Sequence, residues 1–107
     1  MRKKKKRKDT VLQDGQYCYL CKVFYGLYRY GEDLEPHHCL NGIGKRSTCD
    51  ELGLWVWLCP EHHRTGVDAV HRDIELRQKL KQIAQAYFER NIGSRQDFID
   101  KFGKNYL

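Results

Sequence analysis

Apolar residues along the chain fall into short blocks between polar stretches, and one block alone has the length and spacing of a long helix. From about Asp73 to Asn91, Leu76, Leu80, Ile83, Ala84, Tyr87 and Phe88 recur at intervals of three and four, which places them on one helical face. Gly93 closes this helix. Ser94 and Asp97 stand at capping distance just before Phe98, Ile99 and Phe102, so a last short helix follows. Both stripes read as packing faces. The run LWVWL, Leu54 to Leu58, is compact, aromatic and apolar, the pattern of a buried strand. Leu34 to Leu40 predicts a second, shorter strand. Of Trp55 and Trp57, one is expected in the core and the other exposed or covered by the C-terminal helix. Asn41 to Leu52, NGIGKRSTCDEL, is polar with two glycines and reads as a loop. Pro60 suits the first turn of a short helix that Thr65-Gly66 interrupts. Tyr17 to Tyr30 is rich in aromatic residues and holds a Cys-x-x-Cys turn leading into an extended segment. The elements describe one small α+β domain.

Charge changes this picture at one end only. The formal net charge is +6, but Arg2, Lys3, Lys4, Lys5, Lys6, Arg7 and Lys8 form an unbroken basic run. The rest of the chain carries 13 Lys+Arg against 14 Asp+Glu, so the basicity belongs to a tail rather than to the globule. Residues 1–14 are expected to be a disordered basic tail that attracts polyanions, and residues 15–107 the folded domain. No apolar segment follows the N-terminal charge as a signal peptide requires, and no apolar run approaches membrane-spanning length. These features suggest a soluble cytoplasmic protein without a membrane partner. The cysteine count is five, an odd number, which in a reducing compartment favours metal ligation over disulfides.

The cysteines and histidines carry the candidate chemistry. Cys18-x-x-Cys21 and Cys59-x-x-His62 are two matched pairs of the kind that close a tetrahedral structural zinc site. Their thiolates favour zinc over magnesium. Cys39 and Cys49 remain as free thiols. All five histidines lie between positions 37 and 71, and four of them form two adjacent pairs, His37-His38 and His62-His63. Neighbours on a helix point about 100° apart, so His62 and His63 cannot easily serve one ion. Neighbours on a strand point to opposite faces. Adjacent pairs therefore suit two sites standing back to back, with a different task for each histidine.

Taken together, EPHHCL, LWVWLCPEHHR and the preceding Cys-x-x-Cys resemble the HNH endonuclease family, over about Cys18 to His71. The closest likeness is to the version stapled by zinc through paired cysteines. The small size and basic head are similar to phage-encoded members, in which the resemblance implies a role in DNA packaging or recombination in the host cytoplasm. It also implies a ββα-metal core with C-terminal helices. By resemblance, His38 matches the general base, His37 the metal ligand before it, and His63 the helix ligand. His71 matches a further histidine ligand. The catalytic ion would be Mg²⁺ or Mn²⁺, with Ni²⁺, Co²⁺ and Zn²⁺ favoured in vitro by imidazole ligation. The family's middle asparagine aligns near Gly53-Leu54, where no suitable side chain exists. Asn41, assigned here as a catalytic residue, is one substitute, and Ser47 and Asp50 are others. Lys45, Arg46 and Arg64 are candidates for phosphate contact.

The leading expectation is a metal-dependent endonuclease that hydrolyses DNA phosphodiester bonds. It would be a monomer and would be directed by a protein partner if it lacks a reading element of its own. A different class remains open: a zinc-stabilised nucleic-acid-binding module, or an anti-defence interaction protein, without catalysis. A second, exchangeable metal separates the two classes.

Overall fold

A computed structural model describes residues 7–107 of the chain. It is a small α+β fold: one two-stranded antiparallel sheet and four α-helices. The sheet pairs β1 (Glu35–His38) with β2 (Trp55–Leu58), in the register Glu35 to Leu58, Pro36 to Trp57, His37 to Val56 and His38 to Trp55. Side chains alternate across a strand, so Leu54, Val56 and Leu58 enter the core, where each is fully buried. Trp55 and Trp57 share the other face. Their rings meet edge to face at 4.9 Å. Trp55 is buried and Trp57 half-buried, but both lie on this one face, because residues two apart on a strand point the same way, and the N-terminal segment rather than the C-terminal helix covers them.

The N-terminal segment covers that second face. The Lys8 N–H donates to Asp50 O at 2.8 Å, and the Val11 N–H to Gly53 O at 3.0 Å. Trp55 Nε1 donates to Lys8 O at 2.8 Å, the Thr10 hydroxyl to Trp55 O, and the Trp57 N–H to Gln13 Oε1 at 2.7 Å. Residues 7–14 are therefore a strap, not the disordered tail expected of them. A two-stranded sheet leaves free backbone groups along its edges. Thr10, Gln13 and the strap's own backbone satisfy those of β2, while Val11 and Leu12 pack on the core. Arg2, Lys3, Lys4, Lys5 and Lys6 lie outside the described residues.

Around the sheet stand α1 (Tyr19–Tyr25), α2 (Lys45–Leu52), α3 (Ile74–Asn91) and α4 (Arg95–Phe102). Helix α3 starts at Asp73, whose carboxylate accepts from the Glu75 and Leu76 N–H groups. Its buried face is Leu76, Leu80, Ala84, Gln85 and Phe88; Ile83 is on the rim. Ser94 and Asp97 form the expected capping box of α4. Phe98 and Phe102 then pack with Phe88, with ring centroids 4.7 to 6.5 Å apart.

Helix α2 corrects the loop expected over Asn41 to Leu52. Its sequence KRSTCDEL offers only Cys49 and, in part, Leu52 to the core, too few for a visible stripe. The overlooked signal is its C-cap. Gly53 takes φ 76°, the left-handed conformation that ends helices, and donates to Cys49 O. A Cβ at Gly53 would lie 2.5 Å from Asp9 O.

Gly53→Ala should thus combine backbone strain with a clash against the strap. A loss of roughly 2 kcal/mol or more is expected in denaturant unfolding. An unchanged unfolding midpoint would show that the strap does not press on this turn.

Candidate metal centres and the histidine cleft

One turn of chain positions both histidine clusters. After β2, Glu61–Thr65 forms a single wide turn of π-helical type behind Pro60. Gly66 is extended, and the chain then doubles back: the Val70 N–H donates to His62 O at 2.8 Å and the His71 N–H to His63 O at 3.2 Å. His62 and His63 leave this turn in different directions.

His62 enters a buried cluster with Cys18, Cys21 and Cys59 that can hold a metal ion. Cys18 caps α1, and its sulfur accepts from the Cys21 N–H at 3.4 Å, which forms the knuckle. His62 Nδ1 lies 3.5 Å from Cys18 Sγ and 3.4 Å from the sulfurs of Cys21 and Cys59. The sulfurs of Cys21 and Cys59 are 3.9 Å apart. A tetrahedral zinc would space nitrogen from sulfur by roughly 3.6 Å and sulfur from sulfur by roughly 3.8 Å. The four donors fit that group. Burial first, and then the neighbouring Cys18, pushes the Cys59 thiol up to about 12 and raises Cys21 as well. A bound divalent cation inverts such a preference and holds the thiolate. His62 Nε2 lies 3.2 Å from Asp68 Oδ2, a carboxylate that fixes the ring with Nδ1 turned toward the sulfurs.

Neither Cys39 nor Cys49 joins the cluster. Both are buried free thiols, and the Cys49 sulfur donates to Leu40 O at 3.4 Å. Burial pushes both up, Cys49 to about 11, which leaves them inert.

His63 turns the other way and meets His37 and His71. The ligating atoms of these three imidazoles lie within 4.8 Å of one another. Ring centroids are 5.4 Å apart for His37 and His63, 5.8 Å for His37 and His71, and 4.5 Å for His63 and His71. His71 reaches the group despite its separation in sequence because the chain doubles back at Gly66. Burial, then the neighbouring His63 and His71, holds the buried His37 down at about 3. Its ring is neutral at pH 7, with a lone pair to donate. His63 Nδ1 bonds Glu35 Oε1 at 2.8 Å, which leaves Nε2 as the donor atom. Hydrogen bonding from His63 and then from Arg64 holds Glu35 below the usual carboxylate range.

His38 stands at the end of β1, beside the triad and outside it. Its Nε2 bonds Asp50 Oδ1 at 2.8 Å, and Arg7 Nε donates to the same oxygen at 2.8 Å. Burial would raise Asp50, but the Arg7 and His38 hydrogen bonds leave it net below its ordinary value. A cleft of about 480 Å³ runs past these groups, lined by Pro36, His37, His38, Asn41, Arg46, His63, His71 and Arg77.

The remaining expectations divide. Asn41 lines the cleft, but among the described residues no hydrogen bond joins it to His38; α2 carries Asp50 into that place instead. Arg46 faces the cleft. Arg64 does not offer a free guanidinium, because Nε and Nη2 bond Glu35 at 3.1 and 2.6 Å. Arg7 is likewise engaged by Asp50, while Lys8 is exposed. Glu35, Asp68 and Arg77 were not singled out in the sequence. No periodicity or spacing marks a carboxylate whose role is to hold a histidine from another segment.

Comparison of the chain with protein-family models, with curated proteins and with solved structures gave no match. No described helix is long and apolar enough to cross a membrane.

Asp68→Ala should weaken metal binding at the cysteine cluster about tenfold or more, measured by competition with a chromogenic chelator. Equal affinity in the variant would remove Asp68 from the site. Complete metal removal should unfold the region around α1 and the wide turn, lowering the melting temperature in a way that added zinc restores.

Proposed function

We propose that the protein is a divalent-metal-dependent endonuclease of the HNH type, hydrolysing DNA phosphodiester bonds. In this reading β1, β2 and the wide turn form a ββα-metal core, and Cys18, Cys21, Cys59 and His62 hold a structural zinc. The observation that carries it is the division of labour within one cleft. Three imidazoles from separate segments converge on one side, and a histidine paired with a carboxylate stands beside them. A purely structural zinc module explains the cysteines but gives no task to this second group.

His37, His63 and His71 would hold the catalytic ion, which when bound supplies a Lewis acid beside the scissile phosphate. A three-imidazole set leaves coordination positions open, as a catalytic site requires. Its nitrogen donors suit Mn²⁺ or Ni²⁺ better than Mg²⁺. Asp50 accepts from His38 Nε2, which leaves the Nδ1 lone pair to take a proton from the attacking water. The same bond keeps the His38 ring from rotating. Glu35 orients His63 in the same manner. Arg46 and Arg77, which line the cleft, would hold phosphate oxygens.

Plasmid nicking by chelator-stripped protein reloaded with zinc should appear on adding Mn²⁺ or Mg²⁺, and His38→Ala should lower its rate about 100-fold or more. The absence of cleavage with any divalent metal, by protein whose fold and zinc are intact, would sink the nuclease reading.

A further inference from the structure

The basic residues of the folded part are not scattered. Arg77 lines the cleft, and Lys81 follows it one turn along α3 on the same flank of the helix. The Nζ of Lys81 lies 5.3 Å from the centre of the Tyr106 ring, and the Nζ of Lys104 lies 5.6 Å from the same ring. Two ammonium groups thus gather about one aromatic ring. This arrangement is fixed from below. Gln85, fully buried on α3, accepts from the Tyr106 N–H at 2.7 Å and donates to Asn105 Oδ1 at 2.8 Å. The C-terminal segment is thereby locked onto the helix that carries Arg77 and Lys81.

Among the described residues no ion pair answers these cations. Among the described residues, the ion pairs made by lysine and arginine side chains engage Arg7, Arg29, Arg64 and Arg95, and neither Arg77, Lys81, Lys104 nor Lys45 of α2 takes part. Arg77 donates one N–H to Val70 O at 2.9 Å and keeps its other donors. Burial, then Arg77, Lys104 and Lys45 in turn, lowers the Lys81 ammonium below its ordinary value. The fold holds like charges near one another against their repulsion, and such a surface favours a polyanion.

We propose that Arg77, Lys81 and Lys104 form a phosphate track, continuous with the histidine cleft, along which the DNA backbone lies as it enters. The proposal rests on the nuclease reading for the identity of the polyanion. Continuity with the cleft is what favours DNA over an anionic lipid surface. The track touches phosphates alone, so it adds affinity without sequence choice.

The test is binding of a short fluorescent DNA duplex across a range of salt, using the full chain with His38→Ala so that the duplex is not cut. Adding Lys81→Gln and Lys104→Gln should weaken binding about tenfold. The slope of log K against log[salt] should fall by about 1.8, since each phosphate that a lysine neutralises contributes about 0.9. Lys79→Gln is the control. Lys79 lies two residues from Arg77, about 200° round the helix, and its removal should leave affinity near that of the parent. An unchanged slope in the double variant overturns the track and leaves the nuclease reading to its own plasmid test. An equal loss in the control overturns it too, because charge anywhere would then suffice. Binding to phosphatidylserine vesicles without binding to DNA replaces the track by a membrane surface. DNA binding through the track by a wild-type protein that never cleaves overturns the nuclease reading alone.

Discussion

The structure depends on one turn of chain having two faces in use at once. At Glu61–Thr65, His62 is turned into a buried sulfur cluster while His63 is turned into an open cleft. Neither can rotate without the loss of both settings. The sulfur side is tied to α1 through Cys18 and Cys21, and the cleft side to β1 through Glu35. A metal in the cysteine cluster would therefore do more than stabilise the fold. It would set the direction of a histidine one residue away, which belongs to the proposed catalytic group.

Such an anchor suits a domain with a thin core. Two four-residue strands cannot stand as a sheet without cover on both faces. The core covers the face of Val56 and Leu58, and the strap of residues 7–14 covers the tryptophans. The strap also touches the cleft chemistry. Arg7 and His38 share one oxygen of Asp50, so the chain's beginning, the end of β1 and α2 meet at a single carboxylate. Orientation of His38 is in this way coupled to packing of the strap on the tryptophan face of the sheet, the face His38 shares through its pairing with Trp55.

Electrostatics follows the same principle of borrowed position. By count, the chain beyond its basic head carries almost no net charge. Folding sorts that balance unevenly: acids pair with Arg7, Arg29, Arg64 and Arg95, while Lys81 and Lys104 are left around Tyr106. A near-neutral globule can in this way present a basic surface next to a cleft.

The sequence by itself determined the parts whose signals are local. Helical spacing marked α3, the Ser94 and Asp97 pair marked the start of α4, and the apolar run marked β2. Matched ligand spacing marked the four residues of the cysteine cluster, and adjacent histidines implied two sites because neighbours on a helix or strand diverge. The tertiary structure decided what depends on residues distant in the chain. It made α2 a helix by packing Cys49 into the core, turned residues 7–14 into a strap, and brought His71 to His63 by doubling the chain at Gly66. It chose Asp50 over Asn41 as the partner of His38, and it supplied Glu35, Asp68 and Arg77. A ligand pair three residues apart is written in the chain because one turn of backbone closes it. A carboxylate that orients a histidine 12 or 28 residues away has no such signature, because only packing brings the two together.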